Sequence, residues 1–206
     1  MRKALIFSVL GLIGLTSIAS HKKKAETIGD YLGSGLQGVT FDLPDGKVLK
    51  IIDLNTRENK YMATFINYYA IKTANGELAP SKHLPTIYYF DAGYANRRMI
   101  EEIEEEWPNN NWRNNIIEYN SPVAMWIMDK YDEPNAVLHS SYDKYDLYEA
   151  RRDLSAYFQE NNLGIIDDLH EENYGFDDKG NIVFFDFDVI ITDRLIHEVR
   201  THMAQM

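Results

Sequence analysis

Three polar side chains near the C-terminal end of the sequence have the types and spacing that phosphoryl transfer requires. Asp168 and Asn173 are five residues apart in a loop rich in acids and turn formers, and Asp186 follows directly after the apolar run 182–185. A carboxylate can accept or orient the proton of an attacking hydroxyl, and an amide together with a second carboxylate can bind Mg²⁺. We therefore expect the three side chains to converge on one solvent-facing site.

A lysine in an apolar strand is the second candidate. Gly33, Gly35 and Gly38 have G-x-G-x-x-G spacing, the turn sequence Pro-Asp-Gly follows at 44–46, and Lys50 then stands between two apolar residues. Because no helix pattern follows the glycines, the order favours a β-hairpin over a dinucleotide-binding fold. Glycines let backbone N–H groups approach phosphates, and the ammonium group could pair with them. The alternative is a plain hairpin with a strand-edge lysine.

Together these motifs resemble the protein-kinase-like superfamily. Asp168 and Asn173 match the D-x-x-x-x-N catalytic loop, and Asp186 with Phe187 matches the Asp-Phe pair that follows it. The sequence Asp-Leu-His at 168–170 is similar to that of the aminoglycoside and choline phosphotransferase branch and of small phage Ser/Thr protein kinases. The resemblance implies an α+β chain with a minimal two-lobed, protein-kinase-like fold. Its N-lobe would be an antiparallel sheet and its C-lobe a truncated helical lobe.

The resemblance also implies a role for each candidate residue. Asp168 and Lys50 would be catalytic, and Asp168 is preferred over Asp167 because only Asp168 has the five-residue spacing to Asn173. Mg²⁺ would be bound by Asn173 and Asp186. The ATP-binding residues would be those of the glycine hairpin, the strand lysine and the interlobe hinge: Gly33, Gly35, Gly38, Lys50, Met128 and Asp129.

The sequence departs from the family pattern in four places. The helix expected over 55–73 carries one candidate acid, Glu58, which could either pair with Lys50 or form a capping box with Asn55. Asp188 replaces the glycine of the usual Asp-Phe-Gly, and Ile-Asp at 166–167 replaces the His-Arg that usually precedes the catalytic Asp. A chain of 206 residues also leaves no room for an activation segment or a large acceptor-binding subdomain. We expect no activation-loop regulation.

We divide the sequence into three parts: an apolar segment over 1–24, a kinase-like N-lobe over 25–131 with an acidic insertion at 93–121, and a truncated C-lobe over 132–206. The periodicity predicts a helix over 145–160, directly before the catalytic loop, and a last helix after Asp188. His83, in the segment that leads to the fourth strand, is interpreted as a surface turn residue.

The first 24 residues have the plan of a targeting segment, with basic residues before and after an apolar run over 4–20. Three interpretations remain open: a secretory signal cleaved after Ala19, a short membrane anchor, and a helix packed on the domain. Because ATP is a cytosolic substrate, we expect a cytoplasmic domain, either unattached or anchored through residues 4–20. A cleaved signal would make the protein secreted.

Composition limits the partners. The formal charge of −11 argues against nucleic acid as a partner, because binding to a phosphate backbone needs a basic face. The absence of cysteine excludes disulfides and a thiol nucleophile. The expected function is transfer of the γ-phosphate of ATP to a hydroxyl acceptor, with protein Ser/Thr preferred. The alternatives are a small-molecule, aminoglycoside-type acceptor and an inactive pseudokinase that serves as a binding module.

Overall fold

The computed structural model describes residues 31–35, 38–95, 120–131, 144–169 and 173–204. These residues form an α+β chain that divides into two compact units. The first unit contains the described residues up to Ala63 and those from Ile87 to Lys130, and the second contains Thr64–Thr86 and the described residues from Tyr131 onward. All of segment 1–24, most of insertion 93–121, and His170 lie outside the described residues.

The first unit is built on a five-stranded antiparallel sheet with the order β1-β2-β3-β5-β4. β3 and β5 carry nearly continuous apolar runs, and their side chains are buried on both faces, as such runs predict. The predicted glycine hairpin is confirmed, since β1 pairs antiparallel with β2 and β2 with β3. The strands are β1 Tyr31–Gly35, β2 Gly38–Leu43, β3 Lys47–Asp53, β4 Ile87–Tyr94 and β5 Pro122–Asp129.

Helix α1 covers Arg57–Ala74 and follows β3. Its N-cap is Thr56, whose hydroxyl accepts a hydrogen bond from Asn59 N at 3.1 Å. The expected capping box of Asn55 with Glu58 is therefore wrong, because the helix begins one residue later than that box requires. Asp53 at the end of β3 fixes this start: its carboxylate accepts from Asn55 N at 2.8 Å and from Asn59 Nδ2 at 3.2 Å.

The second unit combines helices with two short antiparallel ribbons. One ribbon pairs β6 with β9, and the other pairs β7 with β8. Its core includes three aromatic rings: the ring centroid of Phe65 of α1 lies 4.9 Å from that of Phe158 in the next helix and 5.9 Å from that of Phe187, in the link before Asp188. The elements are β6 Gly164–Asp167, β7 Tyr174–Phe176, β8 Ile182–Phe184, β9 Asp188–Ile191, α2 Lys144–Glu160 and α3 Asp193–Ala204.

The helices expected over 145–160 and after Asp188 are both present as α2 and α3. The units differ from the expected lobes at two points. Residues 64–86 and Tyr131, which were predicted to belong to the N-lobe, group with the second unit.

Candidate functional site

The two ribbons of the second unit bring together the three residues expected to act near the catalytic loop. Asp167 is paired with Asp188 at the end of the β6–β9 ribbon, so Asp168 leaves β6 at the end where β9 begins. Tyr174 is paired with Phe184 at the end of the β7–β8 ribbon, so Asn173 enters β7 where β8 ends. Asp186 lies in the short link between β8 and β9. Strand register alone therefore places all three at one end of both ribbons.

Asn173 is the centre of this cluster. Its side-chain Nδ2 donates to the backbone carbonyl of Asp168 at 2.8 Å and to the Asp168 carboxylate at 3.3 Å. Its own backbone carbonyl accepts from Phe185 N at 3.1 Å and from Asp186 N at 3.4 Å. Asn173 is buried, as expected for an amide that fixes two chain segments through hydrogen bonds.

Asp168 has a left-handed backbone conformation, with φ of 59°. Non-glycine residues adopt it rarely, although Asp is among those that tolerate it best. Asp167 stabilises this turn, because its carboxylate accepts from Asp168 N at 2.9 Å. The Asp168 side chain is exposed and so meets the accessibility that a proton acceptor for an external hydroxyl requires. This supporting role of Asp167 was not predicted, although the adjacent Asp-Asp pair is a signal for it in the sequence.

The donor set suits a hard divalent cation. Because Asn173 turns its amide nitrogen to Asp168, the amide oxygen is the end that could bind a cation, and Asp186 supplies a carboxylate. Mg²⁺ is commonly bound by one or two protein oxygens together with substrate phosphates. No cluster of three or more His, Cys, Asp or Glu side chains suited to a metal occurs in the described part of the chain.

Hydrogen bonds to Asp177 hold the turn between β7 and β8. Asp177 Oδ1 accepts from Lys179 N at 2.9 Å and from Asn181 N at 2.7 Å, and Oδ2 accepts from Asn181 Nδ2 at 2.8 Å. Burial raises the pKa of Asp177, but the hydrogen bonds from the Asn181 side chain and backbone outweigh it and hold that pKa below its ordinary value. Gly180 N also donates to Asp177 O at 2.9 Å, which closes a turn over 177–180.

The first unit carries the other candidate residues. Lys50 is opposite Trp126 across the β3–β5 pair, and Met128, two residues further along β5, lies on the same face. Lys50 is only 5% exposed, and its Nζ lies 5.9 Å from the centroid of the Trp126 ring. Lysine is almost never buried this deeply unless it is paired with another group. Thr40, opposite Lys50 on β2, also belongs to this face.

The glycines of the hairpin are explained partly by packing. Gly33 and Gly35 lie in β1, and Gly38 begins β2. A β-carbon on Gly38 would stand 2.1 Å from the carbonyl oxygen of Ile51 on β3. The close approach of two strands therefore requires glycine at this position, whether or not a phosphate also binds there.

The two remaining candidates for the nucleotide site lie at the end of β5. Met128 is buried and paired with Val48 and Ile87, so it belongs to the middle of the sheet. Asp129 is paired with Lys47, and its carboxylate accepts from Tyr88 OH at 2.9 Å. Glu58, the candidate partner of Lys50, is exposed in the first turn of α1.

His83 is not a surface turn residue, so that interpretation was wrong. It is 5% exposed, and its Nδ1 lies 2.7 Å from the carbonyl oxygen of Ile182 on β8. The neighbouring Leu84 is also buried. The apolar Leu84 next to it is the signal in the sequence that this segment packs inward.

No protein-family model matches the chain, and no curated protein matches it. Among the helices that the structure describes, none has the length and apolar character to cross a membrane.

Proposed function

We propose that the protein is a minimal protein-kinase-like phosphotransferase that moves the γ-phosphate of ATP to a hydroxyl acceptor. One observation carries the proposal: Asp168, Asn173 and Asp186, chosen for their chemistry, lie together in the second unit and are joined by hydrogen bonds. Spacing along the chain does not guarantee such a cluster. The order of elements, with three strands, a helix, two strands, a helix, a short strand and then the loop, supports the same two-lobed interpretation.

In the proposed reaction, Asp168 orients the acceptor hydroxyl and accepts its proton. The acceptor oxygen forms a bond to the γ-phosphorus, the bond from that phosphorus to the β–γ bridging oxygen breaks, and ADP leaves. Asn173 and Asp186 would hold Mg²⁺, which neutralises charge on the triphosphate when bound. Lys50 and the hairpin glycines of the first unit would bind the phosphates. We prefer a protein Ser/Thr acceptor over an aminoglycoside-type one.

The test is phosphate transfer from γ-labelled ATP by the purified full chain, against lysate proteins and against an aminoglycoside panel. Asp168→Asn should lower transfer about 10²- to 10⁴-fold, because it removes the proton acceptor. Asp167→Asn is the matched control, since an asparagine oxygen can still accept from Asp168 N. Equal rates of phosphate transfer by wild type and Asp168→Asn would contradict the proposal.

A second candidate function is a pseudokinase, a module that binds nucleotide or a partner without turnover. The exposed Glu58 favours it, because Asn59, and not an acid, occupies the buried position at this turn of α1. Binding of Mg²⁺·ATP by calorimetry without transfer to any acceptor would establish this function in place of the first.

A further inference from the structure

His83 makes two hydrogen bonds to one strand of the ribbon that carries the candidate metal ligands. Its imidazole Nδ1 lies 2.7 Å from Ile182 O, and its backbone carbonyl accepts from Phe184 N at 3.1 Å. Because a carbonyl can only accept, Nδ1 carries the hydrogen and donates. A residue of a parallel neighbouring strand would make this same pair of bonds to β8. His83 therefore acts as a one-residue third strand, with its side chain in place of its backbone N–H.

This third strand matters because β7 and β8 pair only with each other among the described strands. A two-stranded ribbon is marginally stable unless other elements support it. The backbone N–H of His83 donates to Ser81 Oγ at 3.2 Å. The loop is held in turn by two tyrosines: Tyr157 OH donates to Ala79 O at 2.7 Å, and Tyr69 OH accepts from Ser81 N at 3.1 Å. Burial raises the pKa of Tyr69 to about 12, so it stays a neutral hydroxyl.

The position of β8 determines where Asp186 lies. Asp186 follows the end of β8 by two residues, and both Phe185 N and Asp186 N donate to the carbonyl of Asn173. A shift of β8 along its axis would move the Asp186 carboxylate relative to the Asn173 amide. Residues that orient metal ligands typically change metal affinity 10- to 100-fold when they are replaced.

We propose that His83 is a positioning residue that sets Mg²⁺ affinity by holding β8, and through it Asp186, against Asn173. This inference rests on the proposed function, because the Mg²⁺ that it concerns is part of that proposal. The imidazole Nε2 does not contribute to this contact: it is buried without a hydrogen-bond partner among the described residues, and the nearest Asp153 oxygen is 3.8 Å away.

The test compares His83→Asn with His83→Gln. An asparagine amide can present an N–H near the position of Nδ1, whereas the glutamine amide reaches the position of Nε2 and leaves Ile182 O without its donor. Melting temperatures confirm that each variant is folded. The Mg²⁺ concentration for half-maximal phosphate transfer should rise about 10- to 100-fold in His83→Gln and stay within about threefold of wild type in His83→Asn. The rate at saturating Mg²⁺ should change little in either.

Amide hydrogen exchange at Phe185 and Asp186 provides a readout that does not need turnover. Faster exchange in His83→Gln but not in His83→Asn supports the positioning role. If the wild type transfers phosphate and both variants have the same Mg²⁺ dependence as the wild type, the inference is overturned and the proposed function stands. A wild type that neither binds Mg²⁺·ATP nor transfers phosphate contradicts the proposed function. In that case, amide hydrogen exchange that is unchanged in both variants would also contradict the inference that His83 positions Asp186.

Discussion

Asn173 donates its side-chain amide to both the backbone carbonyl and the carboxylate of Asp168, at 2.8 and 3.3 Å. The bond to the carbonyl fixes the turn, and the bond to the carboxylate fixes the direction of the side chain. One residue therefore sets both the backbone and the rotamer of the proposed proton acceptor. Preorganisation of this kind is how phosphotransferases contribute to catalysis, since the protein does little covalent chemistry itself.

Asn173→Ala should lower both stability and transfer. The substitution leaves the Asp168 carbonyl without its amide donor, and loss of a buried hydrogen bond costs about 1–3 kcal/mol. Urea denaturation gives the stability change, and labelled ATP gives the transfer rate. Asp178→Ala, an exposed change in the neighbouring turn, is the control and should stay within about 0.5 kcal/mol of wild type. A similarly small effect of Asn173→Ala would show that the amide does not stabilise the loop.

Asp168→Gly should be more stable than Asp168→Ala. Both substitutions remove the carboxylate, so the pair isolates the effect of a β-carbon at φ of 59°. A left-handed conformation costs an ordinary residue about 1–2 kcal/mol, whereas glycine adopts it freely. Urea midpoints should therefore favour the glycine variant by about 1 kcal/mol. Alanine at least as stable as glycine would mean that the turn at Asp168 is not left-handed in solution.

Gly38→Ala should destabilise the protein more than Gly46→Ala. The new methyl group would lie 2.1 Å from Ile51 O at position 38, whereas it meets nothing within 4 Å at position 46. Forcing the strands apart costs about 1–3 kcal/mol, and the left-handed turn at Gly46 costs about 1 kcal/mol. Thermal and urea unfolding measure the difference. Equal losses at the two positions would contradict the close approach of β2 to β3.

The sequence predicted that Asp168, Asn173 and Asp186 lie close together, but it did not predict the contacts that hold their ribbons in place. Asp168, Asn173 and Asp186 were recognisable because each is a polar residue next to an apolar strand, and strand register then brings them together. His83 was missed because its partners are about a hundred residues away in the chain, at 182 and 184. No local pattern encodes that contact.

The N-cap of α1 was placed one residue too early, at Asn55 in place of Thr56, for a similar reason. Asn55 and Glu58 have capping-box spacing, but the neighbouring Thr56 and Asn59 have the same spacing with side chains that also suit a cap. The choice is made by Asp53, which is buried at the end of β3 and accepts from both Asn55 N and Asn59 Nδ2. The burial of Asp53 in the folded protein therefore determines which of the two possible N-caps, Asn55 or Thr56, is used.

Lys50→Met should lower phosphate transfer about 10²- to 10³-fold, the usual effect of removing one group that stabilises transition-state charge. Lys47→Met is the matched control. It removes a lysine from the same strand, where Nζ lies 4.3 Å from the centroid of the Tyr88 ring at the end of the sheet, and it should retain transfer within a few-fold. Melting temperatures exclude unfolding as the cause. Equal transfer by the two variants would leave Lys50 without a role in phosphate binding.

Asp177 should stabilise the β7–β8 ribbon in a pH-dependent way. Because hydrogen bonds hold its folded-state pKa below the ordinary value of 3.8, the folded protein binds this proton less readily than the unfolded chain does. The contribution is therefore fully present above the unfolded pKa and is lost as pH falls through the lower folded pKa.

Asp177→Ala should reduce the free energy of unfolding at pH 7 by about 1 kcal/mol or more. This deficit relative to wild type should shrink below about pH 4. Urea titrations at several pH values measure the deficit, with Asp178→Ala, an exposed change in the same turn, as the control variant. A deficit that grows on acidification would mean that the Asp177 carboxylate is not the acceptor of these hydrogen bonds.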